Sequence, residues 1–115
     1  MSKTGAVCAA LLLAGCAVTE PVVVIGQNGQ ILRGSTTASL TGGHFSVTDG
    51  KLTCGGGYDS WDMSTTISMP VTCNDGQRGI VIVTRDASGT SGSGTVRLTN
   101  GTEATFLFGS AAASF

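Results

Sequence analysis

The chain has 115 residues, a formal net charge of −1, 11% charged and 5% aromatic residues, and 18 glycines. That length suggests one domain. The lack of a basic excess argues against a nucleic-acid partner, and no apolar stretch reaches the roughly 18 to 20 residues of a membrane-spanning helix.

The chain starts Met1-Ser2-Lys3, runs apolar from about Gly5 to Ala14, and then reads Gly15-Cys16. A short positive region before about 7 to 15 apolar residues is the pattern of a secretory signal. Leu13-Ala14-Gly15-Cys16 matches the lipobox found in bacterial lipoproteins: leucine, two small residues, cysteine. Small residues let extended backbone enter a peptidase groove, and the thiol accepts a diacylglycerol as a thioether. A buried helix with an incidental cysteine leaves Lys3 and the missing polar face unexplained. Ordinary cleavage without lipid leaves the lipobox unexplained. The expectation is a signal over residues 1–15 and a lipid on Cys16. The resemblance further implies a fatty-acyl group such as palmitate on the Cys16 amine, and two or more chains anchor stably where one does not. Ala17 stands where Asp retains many Gram-negative lipoproteins at the inner membrane, which implies sorting to the outer membrane.

Residues 16–28 read as the lipidated N-terminus and a tether punctuated by Pro21 and Gly26, although Val22-Val23-Val24-Ile25 could add a strand. Residues 29–115 read as a small β domain. Gly, Thr, Ser and Val dominate it, and no window holds a 3.6-residue apolar period. Strands are expected over Ile31–Ser39, His44–Thr48, Lys51–Cys54, Thr66–Cys73, Gly79–Arg85, Gly94–Thr99 and Glu103–Phe108. Phe45 and Val47 share a face, as do Ile67, Met69 and Val71, and Phe106 and Phe108. The unbroken Ile80-Val81-Ile82-Val83 predicts a strand buried on both faces. Pro70 predicts an edge or a bulge in its strand.

Asp49-Gly50, Asp75-Gly76 and Asn100-Gly101 predict tight hairpins of type I′. Gly43–Gly50 resembles Gly94–Gly101, through either an internal duplication or a shared turn constraint. Cys54-Gly55-Gly56-Gly57 and Gly89–Gly94 lack the ending of a phosphate loop and read as flexible loops or bulges. Short strands with regular turns predict an all-β fold: a small antiparallel sandwich or barrel of about six to eight strands, behind the signal segment.

Four cysteines remain to be sorted. Cys8 leaves with the signal and Cys16 carries lipid, so Cys54 and Cys73 are left in an oxidising compartment. A disulfide between them is the simplest reading, with an inert thiol pair as the alternative. It closes a loop of about 20 residues, worth roughly 3 kcal/mol by chain entropy. That matters to a folded part of roughly 80 residues. With His44 the only histidine and no Cys-x-x-Cys, no metal or other cofactor is expected.

His44 is also the only neutral-pH base, but it lies opposite Phe45 and Val47 and reads as a solvent-facing sheet residue. Lys51 flanks a turn. No nucleophile elbow appears, and no Ser-His-Asp set follows from spacing. The segment Tyr58-Asp59-Ser60-Trp61-Asp62-Met63 holds the only Tyr, the only Trp and two carboxylates. Such aromatics anchor interfaces at low rotamer cost. Tyr58, Asp59, Trp61, Asp62 and Met63 are therefore candidates to bind a protein or glycan. The alternative has Trp61 capping the core and the aspartates solubilising the loop.

Taken together, the chain resembles small outer-membrane lipoproteins of proteobacterial type whose function is unassigned. The resemblance rests on the lipobox at Cys16, Leu52–Gly56 with Tyr58-Asp59, Val71–Gly79, Ser91–Thr95 and Phe106–Gly109. It brings no catalytic residues. It implies a non-enzymatic envelope protein, held to the membrane through Cys16, with a structural or interaction role at the periplasmic face of the outer membrane. A second expectation is a tethered periplasmic ligand binder or enzyme inhibitor. Lysozyme inhibitors share the small size, β character and single disulfide, but this chain lacks a convincing version of their inhibitory motifs. A third is carboxylate catalysis among Asp59, Asp62 and Asp75, against which the shortage of His and Lys argues.

Overall fold

Strands with apolar residues at every second position have one face to bury and one to wet. The computed structural model describes residues 17–115. Lys3, the apolar run, the lipobox and Cys16 lie outside the described residues. Eight strands follow in order: β1 (Val18–Gly26), β2 (Ile31–Ser39), β3 (Gly42–Thr48), β4 (Thr53–Tyr58), β5 (Thr66–Cys73), β6 (Arg78–Arg85), β7 (Gly92–Leu98) and β8 (Glu103–Phe108). Each pairs antiparallel with the next, and β8 pairs back to β1 through Val22↔Phe108 and Val24↔Phe106. The fold is thus a closed up-and-down barrel rather than a sandwich. Closure leaves no strand with only one neighbour, although β4 and β5 share just two residue pairs.

Alternation sorts the side chains as the chain pattern predicts. Val22, Phe45, Val47, Val81, Val83 and Phe106 fill the interior, each no more than 2% exposed. Ser35, His44, Ser46, Ser68 and Thr95 stand on the exposed outer wall. This is the reverse of a membrane-spanning barrel, whose apolar band faces outward.

Several expectations need correction. The stretch read as a tether supplies β1, whose two ladders close the barrel. The run Ile80–Val83 is not buried on both faces: Val81 is 0% exposed, but Ile80 is 41% and Ile82 46%. A single-layer barrel has only one inside, and Ile80 and Ile82 stand on its outer wall; Val23, also outward-facing in β1, is buried at 3%, with the C-terminal helix packed against that strand. The two glycine-rich stretches are strand in large part. Gly55, Gly56 and Gly57 lie within β4, and β7 begins at Gly92, two residues ahead of the strand expected from Gly94. An added Cβ at Gly94 would overlap the Ile82 carbonyl, so only hydrogen fits where the coiled strands approach this closely. Pro70 belongs to a strand paired along its length to β6. On the other side the β4 register covers only Cys54↔Cys73 and Gly55↔Thr72 and stops short of Pro70, which has no N–H to give it.

The hairpins are tight, but not type I′. Among the described residues no non-glycine has positive φ; in these turns it is carried by Gly29, Gly50, Gly76 and Gly101. In the Asp75-Gly76 turn, Gly76 N–H donates to Cys73 O at 3.0 Å and Cys73 N–H to Gln77 O at 2.9 Å. This is a type I turn followed by a left-handed glycine bulge. The Asx side chain then accepts the N–H two residues on: Asn28 from Gln30, Asp49 from Lys51, Asp75 from Gln77 and Asn100 from Thr102. That acceptor role, rather than positive φ, is what the turns use Asp and Asn for.

These four turns share one end of the barrel, the turn end. The opposite, loop end carries the start of β1, the Leu40-Thr41 connection, the loops over 59–65 and 86–91, and a short helix α1 (Ser110–Ala113) that the strand pattern does not foresee. The resembling stretches Gly43–Gly50 and Gly94–Gly101 fall on β3 and β7, equivalent strands of the two four-stranded halves. Cys54 and Cys73 are directly opposite on β4 and β5 and form a disulfide with 4.0 Å between Cα atoms.

Candidate functional site

Valine dominates the inner face, and Gly34, Gly79 and Gly94 share it by register with Val22, Val71 and Val83. Side chains this small do not fill an eight-stranded barrel. A cavity of about 250 Å³ opens at the turn end, and a second of about 240 Å³ lies at the loop end. Phe45 borders the first and Phe106 the second. Their rings meet edge-on at 5.2 Å and 84°, dividing the interior in two.

The turn-end cavity is walled by Val24, Leu32, Val47, Val71, Val96 and Leu98, with the Cys54–Cys73 disulfide on one side. Its mouth is polar: Gln27, Asn28, Gln30, Thr102 and Glu103. Part of this rim and of the turns around it is tied down. Gln30 Nε2 donates to Asp49 Oδ2 at 2.8 Å, and Asn100 Nδ2 donates to Gln77 Oε1 at 2.9 Å. Glu103 pairs with Arg97 at 2.9 Å on the outer wall. The Gln30 amide, with the backbone N–H groups of Leu52 and Lys51, lowers the Asp49 carboxyl from 3.8 to about 2. An apolar well under a ring of fixed amides and carboxylates suits a small molecule with an apolar body and a polar end.

The loop end receives the residues expected to bind a partner, and it divides them. Tyr58 ends β4 half-buried and donates or accepts a 2.7 Å hydrogen bond with Thr36 Oγ1, lining the loop-end cavity. It belongs to the barrel wall. Asp59 Oδ1 accepts Trp61 N–H at 2.9 Å and Asp62 Oδ1 accepts Ser64 N–H at 2.9 Å, so both carboxylates fold their own loop. The Ser64 N–H and hydroxyl hold the Asp62 carboxyl below its usual range. Trp61 and Met63 remain outside, 64% and 86% exposed; Trp61 does not cap the core.

Asp75 sits in a turn at the far end from Asp59 and Asp62, so the three carboxylates proposed for catalysis do not share a site. His44 lies on the exposed outer wall opposite Thr37 and Gly57, and Lys51 lies in its turn, as the pattern implies. Cys16, expected from the lipobox to carry lipid, lies outside the described residues. No family model, curated protein or solved structure matches this chain.

The cavities are the feature that strand reasoning misses. Alternation says which residues face inward but not whether eight inward rows fill the space. The available signal was size: the inner positions hold Val and Gly where Leu and Phe would pack a barrel solid.

Proposed function

We propose that this chain is a lipid-anchored protein of a bacterial envelope, on the periplasmic face of the outer membrane, that binds a small apolar molecule without transforming it. The anchor rests on the lipobox ending at Cys16. The binding role rests on one observation: an apolar cavity of about 250 Å³ open at the turn end, away from where the N-terminal segment joins β1. An engineered apolar cavity of about 150 Å³ accepts benzene. Drug-sized pockets start at about 300 Å³. The ligand class is therefore a small aromatic or short-alkyl compound, its polar end at the Gln27–Gln30 and Thr102-Glu103 mouth.

The test is titration of residues 17–115 with a fluorescent naphthylamine. Leu98→Trp, which fills the cavity, should abolish binding, while Ile80→Trp on the outer wall should leave it intact. Equal binding by both variants, or none by the unaltered protein, would remove this reading.

A further inference from the structure

The loop end carries the most exposed large apolar side chains among the described residues; Ile31, Ile80 and Ile82 elsewhere are less exposed, at 39%, 41% and 46%. Leu40 is 58% exposed, Trp61 64%, Met63 86% and Val18, at the mouth of the loop-end cavity, 54%. The turn end presents amides and carboxylates instead.

These apolar groups are held in place. Trp61 Nε1 donates to Leu40 O at 3.0 Å, and Ser60 Oγ donates to Ser39 O at 2.6 Å. The β4–β5 loop is thereby fastened to the β2–β3 connection, with Leu40 beside Trp61. From the other side, Arg85 Nη2 donates to the carbonyls of Asp62 and Ser64. The Asp59 and Asp62 carboxylates are turned back onto backbone N–H groups of the same loop. What the loop offers outward is Trp61 and Met63. Tryptophan, with an apolar body and an N–H already bonded, is the residue of lipid–water boundaries.

The chain itself says what lies against this end. Cys16 precedes Val18 by two residues, at most about 7 Å of extended backbone. A lipid on Cys16 enters a bilayer within that distance of the rim. So short a link leaves no room for the apolar rim to stand clear of the lipid surface.

We propose that the loop end docks on the bilayer, with Leu40, Trp61 and Met63 inserted at the interface and the turn-end cavity directed away from it. This rests on the membrane anchorage proposed above.

Trp61 is the only tryptophan, so its fluorescence reports this rim alone. The full chain is expressed in a lipoprotein-processing bacterium, purified, and reconstituted into phosphatidylcholine vesicles with brominated acyl chains. Expected are a blue-shifted emission relative to residues 17–115, which carry neither signal nor lipid, quenching by bromine, and protection from aqueous acrylamide. Leu40→Ser with Met63→Ser should cut the bromine quenching about twofold. Both positions are exposed, so the thermal midpoint should not move.

Flotation of the same samples separates the two proposals. A chain that floats while Trp61 is unquenched by bromine and open to acrylamide overturns the docking and leaves the anchor standing. A chain that does not float overturns both. A Trp61 shielded from acrylamide yet unquenched by bromine assigns the rim to a second copy of the chain, and overturns lipid docking as well.

Discussion

Replacing Cys54 and Cys73 together with alanine tests how much of the barrel depends on one covalent link. The disulfide joins residues 19 apart in sequence. For a loop of about 20 residues the chain-entropy relation gives about 3.3 kcal/mol at 25 °C. A small domain has a total stability of about 5 to 15 kcal/mol. At this size each kcal/mol moves the midpoint by about 4 to 8 °C, so the double variant should melt about 13 to 26 °C lower. The structure also says where the loss concentrates. The β4–β5 register contains only two residue pairs, one of them the cystine itself, whereas β5 and β6 share seven. Without the link, β4 and β5 should open locally before the barrel melts. Circular dichroism gives the midpoint, and amide hydrogen exchange gives the site of opening. A fall of less than about 5 °C would refute the entropic account. Protection lost evenly around all eight strands would refute the weak seam.

Other expectations follow from single contacts. Phe106→Ala removes the ring that meets Phe45 and is 2% exposed. It should cost about 3 to 5 kcal/mol in urea unfolding, and by joining the two cavities it should admit a longer alkyl probe. Gly94→Ala places a methyl group against the Ile82 carbonyl. It should cost about 1 to 3 kcal/mol in the same assay, against almost nothing for a Ser-to-Ala change on the outer wall. The Asp49 carboxyl should titrate at about 2 by carbon NMR, and Gln30→Ala should bring it back toward 3.8. Because its folded value is depressed, its contribution to stability is complete above the unfolded value of 3.8 and is lost as pH falls toward 2. Gln30→Ala should flatten the stability curve in that window, lowering stability by a constant amount near neutrality and leaving it unchanged below about pH 2.

The strand pattern carried most of the fold. β2, β5 and β8 have the bounds that alternation predicts, and Phe45, Val47, Phe106 and Phe108 point where it places them. What misled was residue type read in isolation. Gly55–Gly57 and Gly92 looked like loop because glycine weakens a strand; in a tightly coiled barrel it is what lets strands approach. Ile80–Val83 looked doubly buried because a run of four apolar residues says nothing about how many layers the fold has. Val22–Ile25 looked optional because Pro21 sits ahead of it, yet a first strand tolerates proline where a ladder bond is not needed. At the loop end, the Tyr58–Met63 segment stands out by composition. Its division into a wall residue, two local caps and two exposed apolar groups depends on contacts with Thr36, Leu40 and Arg85, which lie far away in sequence.

The pairing of β8 with β1 has a consequence for how the chain is made. Seven of the eight ladders join neighbours in sequence and can zip as the chain emerges. The eighth joins Val22 to Phe108, so its loop-closure entropy is met only when nearly the whole chain exists. Until then β1 and its growing sheet have open, valine-rich edges, the condition under which strands pair with the wrong chain. Closure should therefore be the slow step of folding. Up to the moment β8 arrives, the unfinished barrel would benefit from a holding chaperone.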